Sequence, residues 1–225
     1  MRRAVRTPPT IFRDRQEAGR RLAEALARSR VERPVVLALP RGGVPVASEV
    51  ADRLAAPLDL VLVRKIGVPG QPELAMGAIA DGAPPVTLRN EAVIQALDIS
   101  ERDFAAVRDR ELIEIERRRR AYLGDRPRID VAGRVAILVD DGIATGMTMR
   151  AAAQATALRQ PSRLVIAAPV ASSEIAADLR REFGEVVCLD ECDDLFAIGV
   201  HYADFSQVGD EDVRQILSRH AIEGG

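Results

Sequence analysis

The chain has 225 residues, 47% of them hydrophobic and 29% charged, with a formal net charge of −2. That composition excludes disordered and fibrous classes, and the charge balance gives no general attraction to nucleic acid or to an anionic membrane. No apolar run reaches the ~20 residues that span a bilayer, so size and composition leave one α/β-sized domain with a small appendage.

In chain order, residues 1–12 are polar and Pro-containing and read as a loose arm. No apolar stretch follows Met1-Arg2-Arg3-Ala4-Val5-Arg6, so a signal peptide is not expected. Asp14 opens a helical pattern through Arg30, with Ala18, Leu22, Ala25 and Leu26 at helical spacing. Pro34 then precedes Val35-Val36-Leu37-Ala38-Leu39, a continuous apolar run of the kind a central parallel strand needs. The run ends in Pro40-Arg41-Gly42-Gly43, a helix is expected from Val44 to Leu54, and Leu58–Val63 is the next strand, which makes a βαβ opening. Arg64–Gly82 is rich in Gly and Pro and reads as a long loop or hairpin, the usual form of a lid. A short strand is expected at Val86–Leu88. Asn90 and Ser100 are helix caps, and Ser100 starts the longest helix, to about Leu123. Its basic run Arg117–Arg120 lies one turn from Glu111, Glu114 and Glu116, the pattern of a solvated, ion-paired face.

Gly133 leads into the apolar strand Val135–Val139, and Asp140–Thr148 joins it to a helix from about Met149 to Leu158. A strand at Leu164–Val170, a helix at Glu174–Phe183, a short strand at Val186–Leu189, an aromatic-bearing loop at Phe196–Phe205 and a helix from about Asp210 to Ala221 complete the chain. Strands alternating with helices predict an open, mostly parallel, doubly wound α/β sheet with helices on both faces. Cys188 and Cys192 cannot form a disulfide framework and read as packing residues, so the expected compartment is the cytoplasm.

The stretch that carries chemistry is Val139-Asp140-Asp141-Gly142-Ile143-Ala144-Thr145-Gly146-Met147-Thr148. It is a buried strand end, two carboxylates, and a Gly/Thr turn that opens a helix. Ligands of open α/β sheets bind at that carboxyl edge. Unpaired backbone N–H groups and the helix dipole make the turn an anion site, to which the hydroxyls of Thr145 and Thr148 add donors. Gly142 and Gly146 permit close backbone approach. Asp140 and Asp141 suit vicinal ribose hydroxyls instead, and the combination fits a sugar phosphate. A Walker P-loop would need a Lys that is absent here, and the glycine spacing is not that of a dinucleotide fingerprint.

This string closely resembles the 5-phosphoribosyl-1-pyrophosphate (PRPP) motif of the type I phosphoribosyltransferases, two acids followed by Thr-Gly-x-Thr. The resemblance extends over roughly residues 35–205 and implies the type I fold with a small C-terminal hood. Leu39-Pro40-Arg41-Gly42-Gly43 is similar to the family's pyrophosphate loop, which often holds a cis peptide. Arg64 and Lys65 resemble the basic residues before its flexible loop. Phe196-Ala197-Ile198-Gly199, followed by His201, Tyr202 and Asp204, resembles the hood that covers the nucleobase.

By this resemblance Ala144, Thr145, Gly146, Met147 and Thr148 would hold the 5-phosphate, Asp140 and Asp141 the ribose 2- and 3-hydroxyls, and Gly142 would belong to the PRPP-binding set. Arg41, Gly42, Gly43 and Lys65, with Arg64, would hold the pyrophosphate, and Phe196 would stack on the base. Mg²⁺ would be bound mostly by ligand oxygens and water, with Asp140 or Asp141 touching its water shell. The implied organisation is one domain, with the arm at 1–12, a core at about 13–185 and a hood at about 186–225. The implied partners are PRPP and a nitrogenous base, with no nucleic acid and no membrane, in a homo-oligomer.

Two departures qualify the family pattern. Ile66–Gly77 matches no purine or pyrimidine salvage loop, and Ala144 stands where hypoxanthine-guanine enzymes carry an Asp, which argues against a 6-oxopurine acceptor. The pattern is most similar to bacterial phosphoribosyltransferases of undefined substrate. Some of these are joined to an α/β-hydrolase domain, whose G-x-S-x-G elbow is absent from this sequence. The alternative to a transferase is a non-catalytic PRPP-sensing regulator, for which Arg2, Arg3 and Arg6 would supply a basic arm. A glutaminase-linked amidotransferase half and a hydrolase of PRPP or a nucleotide are further readings.

Overall fold

The computed structural model describes residues 12–29 and 31–220; the expected arm up to residue 11, Arg30 and Ala221 lie outside them. The elements are α1 (Arg15–Ala27), β1 (Pro34–Ala38), α2 (Gly43–Leu54), β2 (Leu58–Leu60), β3 (Val63–Val68), β4 (Gln71–Ala80), β5 (Val86–Arg89), α3 (Glu91–Ala96) and α4 (Glu101–Leu123). They continue with β6 (Val135–Val139), α5 (Met147–Ala157), β7 (Arg163–Ser172), α6 (Ser173–Phe183), β8 (Glu185–Cys192), a short 3₁₀ turn at Ile198–His201, and α7 (Asp210–Arg219). Among the described residues no helix is long and apolar enough to cross a membrane.

Five strands form a wholly parallel sheet in the order β2-β1-β6-β7-β8. Its central strands are apolar throughout because both faces are covered. Val36, Ala38, Ile137, Val139, Val165 and Ala167 face one core with Leu22 and Leu26 of α1 and Val46, Ala47 and Val50 of α2. Their alternating neighbours Val35, Leu37, Ala136, Leu138, Ile166 and Ala168 face a second core with Met149 and Ala152 of α5 and Leu179 of α6. The chain winds outward from β1 to β2 in one direction and from β6 through β7 to β8 in the other. The switch point therefore lies between β1 and β6, where such sheets open a crevice at their carboxyl edge.

One expected strand splits. The apolar run Leu58–Val63 gives β2 only as far as Leu60, and β3 begins at Val63 in a separate antiparallel sheet of order β3-β4-β5. The break is held by Asp81, which is 6% exposed. Its carboxylate accepts from the Leu62 N–H at 3.0 Å and from Arg128 Nη2 at 2.7 Å, and its backbone N–H donates to Leu62 O at 2.8 Å. Apolarity runs on through the break because Val61 and Leu62 stay buried. Arg64–Gly82 is thus mainly a hairpin, turning at Gly70 with φ +80° and packed by Ala78 and Ala80 onto Ala151 and Ala155 of α5.

Asn90 and Ser100 cap α3 and α4 as expected, accepting from the Val93 and Asp103 N–H groups. The basic run on α4 is ion-paired, with Arg117 and Arg118 both on Glu114. Phe12, expected as the last residue of a loose arm, is instead fully buried against Tyr202, and backbone hydrogen bonds tie it to His201 and Ala203.

Ile137 is fully buried on the central strand β6. Ile137→Ala is expected to lower unfolding free energy by about 2–5 kcal/mol through lost burial and a residual cavity. Chemical denaturation checks this.

Candidate active site

The loops after β1 and β6 meet at the switch point. Leu39 N–H donates to Val139 O at 2.9 Å, and the peptide between Pro40 and Arg41 is cis. Two glycines let the loops touch. A Cβ on Gly43 would stand 2.7 Å from Val139 O, and one on Gly42 would stand 2.0 Å from Asp141 Oδ2. The Gly42 side of the β1 loop is therefore shaped to receive the Asp141 carboxylate.

Asp141 is 8% exposed and held from several directions. Arg15 Nε donates to its Oδ2 at 2.8 Å, and the Tyr202 hydroxyl donates to its backbone O at 2.6 Å. Arg15 is fixed in turn, with Nη1 donating to Ser206 O at 2.8 Å and the guanidinium 3.9 Å from the Phe205 ring centre. Arg15 is a site residue that sequence reasoning missed. It opens α1, 126 positions before its partner, and nothing in its neighbourhood separates it from other surface arginines. Asp140 is half-buried, and one of its oxygens accepts from the Asp141 N–H at 2.9 Å. Burial first, then the adjacent Asp141 charge, holds its carboxyl well above the ordinary aspartate range.

Beyond the acids the chain turns through Ile143, which bridges to Ala171 of β7, and enters α5 at Gly146. Gly146 has φ +72°, and a Cβ there would meet Ile175 at 2.5 Å. No side chain caps α5, so its first amides are open to an external acceptor. A cavity of about 150 Å³ sits there, lined by Lys65, Asp140, Asp141, the 142–146 turn, Thr148, Met149 and Ile198. A second, of about 800 Å³, lies between Pro40, the β3–β4 hairpin and one face of α4. Lys65 and Thr148 line both.

The structure thus brings together Lys65, Asp140, Asp141, Gly142, Ala144, Thr145, Gly146 and Thr148 around the smaller cavity. Lys65 is exposed and makes no ion pair among the described residues. Arg64 lines the larger cavity while its Nε donates to Glu111 at 2.8 Å. Gly42 and Gly43 line neither cavity but pack against the two acids, whereas Arg41, Met147 and Phe196 stand apart. Arg41 lines neither cavity and reaches Asp210 on α7 at 3.5 Å, a carboxylate that also accepts from the Tyr122 hydroxyl. Met147 packs toward the small sheet with Ala78 and Ala80, and Phe196 is 88% exposed.

Comparison with known proteins places this geometry in context. The family model described as "Phosphoribosyl transferase domain" matches residues 12–204. Two curated proteins from strains of Mycobacterium tuberculosis, each provisionally named a phosphoribosyl transferase, are 44% identical over 209 residues. The match covers 93% of this chain and 47% of each relative, so the chain spans about half the length of the curated relatives it matches. A crystal structure from Thermus thermophilus, 46% identical, superposes with a TM-score of 0.76 over 94% of this chain and 100% of that one.

The raised carboxyl of Asp140 gives a signed expectation. A folded-state value above the unfolded one means the native protein holds this proton more tightly. The associated stability is full below the unfolded value and is lost as pH rises through the folded one. Asp140→Asn removes that loss. The melting-temperature advantage of the variant over the parent is expected to be smallest at acid pH and to grow toward neutrality, whereas a pH-independent offset would contradict the assignment.

Proposed function

The chain belongs to the phosphoribosyl transferase domain family, and from that premise we propose that it binds PRPP with Mg²⁺ and transfers the phosphoribosyl group to a nitrogenous base. The observation that carries this reading is the smaller cavity, where two carboxylates, a Gly/Thr turn and the uncapped start of α5 surround one space with Lys65 at its mouth.

The roles follow from chemistry. The 5-phosphate takes the amides of the Ala144–Thr148 turn, where the helix dipole favours an anion, with hydroxyls from Thr145 and Thr148. The ribose diol lies against Asp140 and Asp141, the latter oriented by Arg15. Lys65, shared by both cavities, stands where the pyrophosphate passes from C1 into the larger space, which has Arg64 on its wall. As the C1–O bond breaks, the ribose gains oxocarbenium character and the leaving group gains charge, and fixed cationic and N–H donors offset both. The acceptor nitrogen attacks C1 from the side of the 196–205 segment, whose Ile198 lines the smaller cavity. The β3–β4 hairpin is the candidate lid that excludes water.

The donor set also fits the ion. Asp140 and Asp141 offer hard oxygen donors, and a carboxylate as costly to ionise as Asp140 gains from a nearby cation. Mg²⁺, when bound, would neutralise pyrophosphate oxygens, with Asp140 the residue best placed to meet its water shell.

The test is pyrophosphate release from PRPP and Mg²⁺ across a panel of purine and pyrimidine bases. One base is expected to support turnover. PRPP binding without turnover on any base would favour the PRPP-sensing alternative. Lys65→Ala is expected to reduce kcat/KM by about 10²–10³, as for loss of one transition-state charge donor, while leaving the melting temperature unchanged because Lys65 is exposed.

A further inference from the structure

Away from both cavities, three metal-ligating side chains converge in the 185–205 segment. Asp190 and Cys192 lie on β8 at the edge of the large sheet, and His201 ends the 3₁₀ turn that follows. Their donor atoms all lie within 4.8 Å of one another, and among the described residues no other group of three or more His, Cys, Asp or Glu side chains does this. Cys192 Sγ is 3.8 Å from His201 Nε2, and Asp190 Oδ2 is 3.4 Å from His201 Nδ1.

A second observation is independent of this spacing. The His201 side chain is only 4% exposed, yet its Nδ1 has no hydrogen-bond partner. Buried ring nitrogens are nearly always satisfied, and a native exception needs an explanation such as a missing ion. This one faces the carboxylate of Asp190.

We propose that Asp190, Cys192 and His201 form a binding site for a zinc-class divalent cation. The donor set is one sulfur, one imidazole nitrogen and one carboxylate oxygen. Thiolate and imidazole select zinc-like ions over Mg²⁺ or Ca²⁺, so the site differs in kind from an all-oxygen magnesium position. Three protein ligands leave the fourth position of a tetrahedral ion to water. The partial exposure of Asp190 and Cys192 opens the site to solvent on that side. On binding, the Cys192 thiol proton passes to solvent and the thiolate bonds the metal. Ligand separations in such a site are about 3.3–3.8 Å from bond lengths of about 2.0–2.3 Å. With Nδ1 as the imidazole donor, Asp190 Oδ2 already lies at 3.4 Å, and Cys192 Sγ, now 3.8 Å from Nε2, would have to swing toward Nδ1.

The ion would join the two ends of the 193–200 segment. Within that span Phe196 is 88% exposed, and Ile198 packs on Gly142 and lines the smaller cavity. Immediately after it, Tyr202 donates to Asp141 O. A cation at this point would fix the segment that reaches the candidate active site. Metal binding itself does not depend on the proposed transferase reaction.

The experiment uses the full chain, stripped of metal with a chelator and titrated with zinc chloride and, separately, cobalt chloride. One equivalent is expected to bind, and the cobalt form should show sulfur-to-metal charge transfer with intense tetrahedral d–d bands. Cys192→Ser and His201→Gln should each weaken zinc binding by about 100-fold or more and abolish the sulfur band. Cys188→Ser should change neither, because Cys188 Sγ donates instead to the Asp190 carbonyl. In the unmutated protein zinc should protect Cys192 from alkylation, located by peptide mass, which keeps the test valid where a variant fails to fold. Absence of binding at micromolar zinc, a sulfur band that survives Cys192→Ser, or unprotected Cys192 would each overturn the proposal.

Discussion

The Asp141 carboxylate rests against the bare α-carbon of Gly42 and is held by Arg15, and this contact ties together segments far apart in the chain. The start of α1, the β1 loop, the β6 turn and the residues around Tyr202 and Phe205 all converge on it. A buried carboxylate is costly unless its partners compensate for lost water. Here a guanidinium, fixed by an aromatic ring and a backbone carbonyl, supplies that compensation. The same demand removes the side chain from Gly42, since any Cβ there would occupy the space of Oδ2. With Asp141 fixed, Asp140 and the turn that follows have a defined direction, and α5 starts with its amides aimed at open space.

The two cavities divide the chemistry by charge. The smaller offers carboxylates, hydroxyls and amides, a surface for a sugar and one phosphate. The larger is walled by Arg64, Arg110 and Arg118 as well as Glu73 and Glu111. Lys65 and Thr148 stand at their junction, so a ligand spanning both would pass these two side chains. Arg64 is already paired with Glu111, which leaves Lys65 as the uncommitted positive charge at the point where a leaving group would depart. Family membership is what suggests phosphoribosyl transfer as the reaction these cavities serve. The sequence departs from the family pattern at Ile66–Gly77, in the β3–β4 hairpin on the wall of the larger cavity, and at Ala144 in the smaller one.

Much of the sheet is legible in the sequence, because a strand covered on both faces must be apolar at every position. Val35–Leu39, Val135–Val139 and Leu164–Val170 read as strands for that reason. The same rule hides where a strand ends. Leu58–Val63 stays buried while the chain leaves one sheet for another, and the pin, Asp81, lies 19 residues from the N–H it accepts. The 140–148 turn is legible because its parts are contiguous. Arg15 is not, because its role depends on a contact 126 residues away. Cys192 shows the same limit. Considered beside Cys188 it is an ordinary packing residue, and its nearer neighbours Asp190 and His201 come together only when the chain folds back.

The central claim is that the 140–148 turn and the acids before it form a PRPP site. Calorimetric titration of the full chain with PRPP, with and without Mg²⁺ and with ribose 5-phosphate as control, tests it most directly. Magnesium-dependent binding with a clear preference for PRPP is the result expected from a cavity that holds the sugar phosphate and a second space that takes the pyrophosphate. Failure of either ligand to bind at millimolar concentration would contradict it and reduce the turn to a structural connection between β6 and α5.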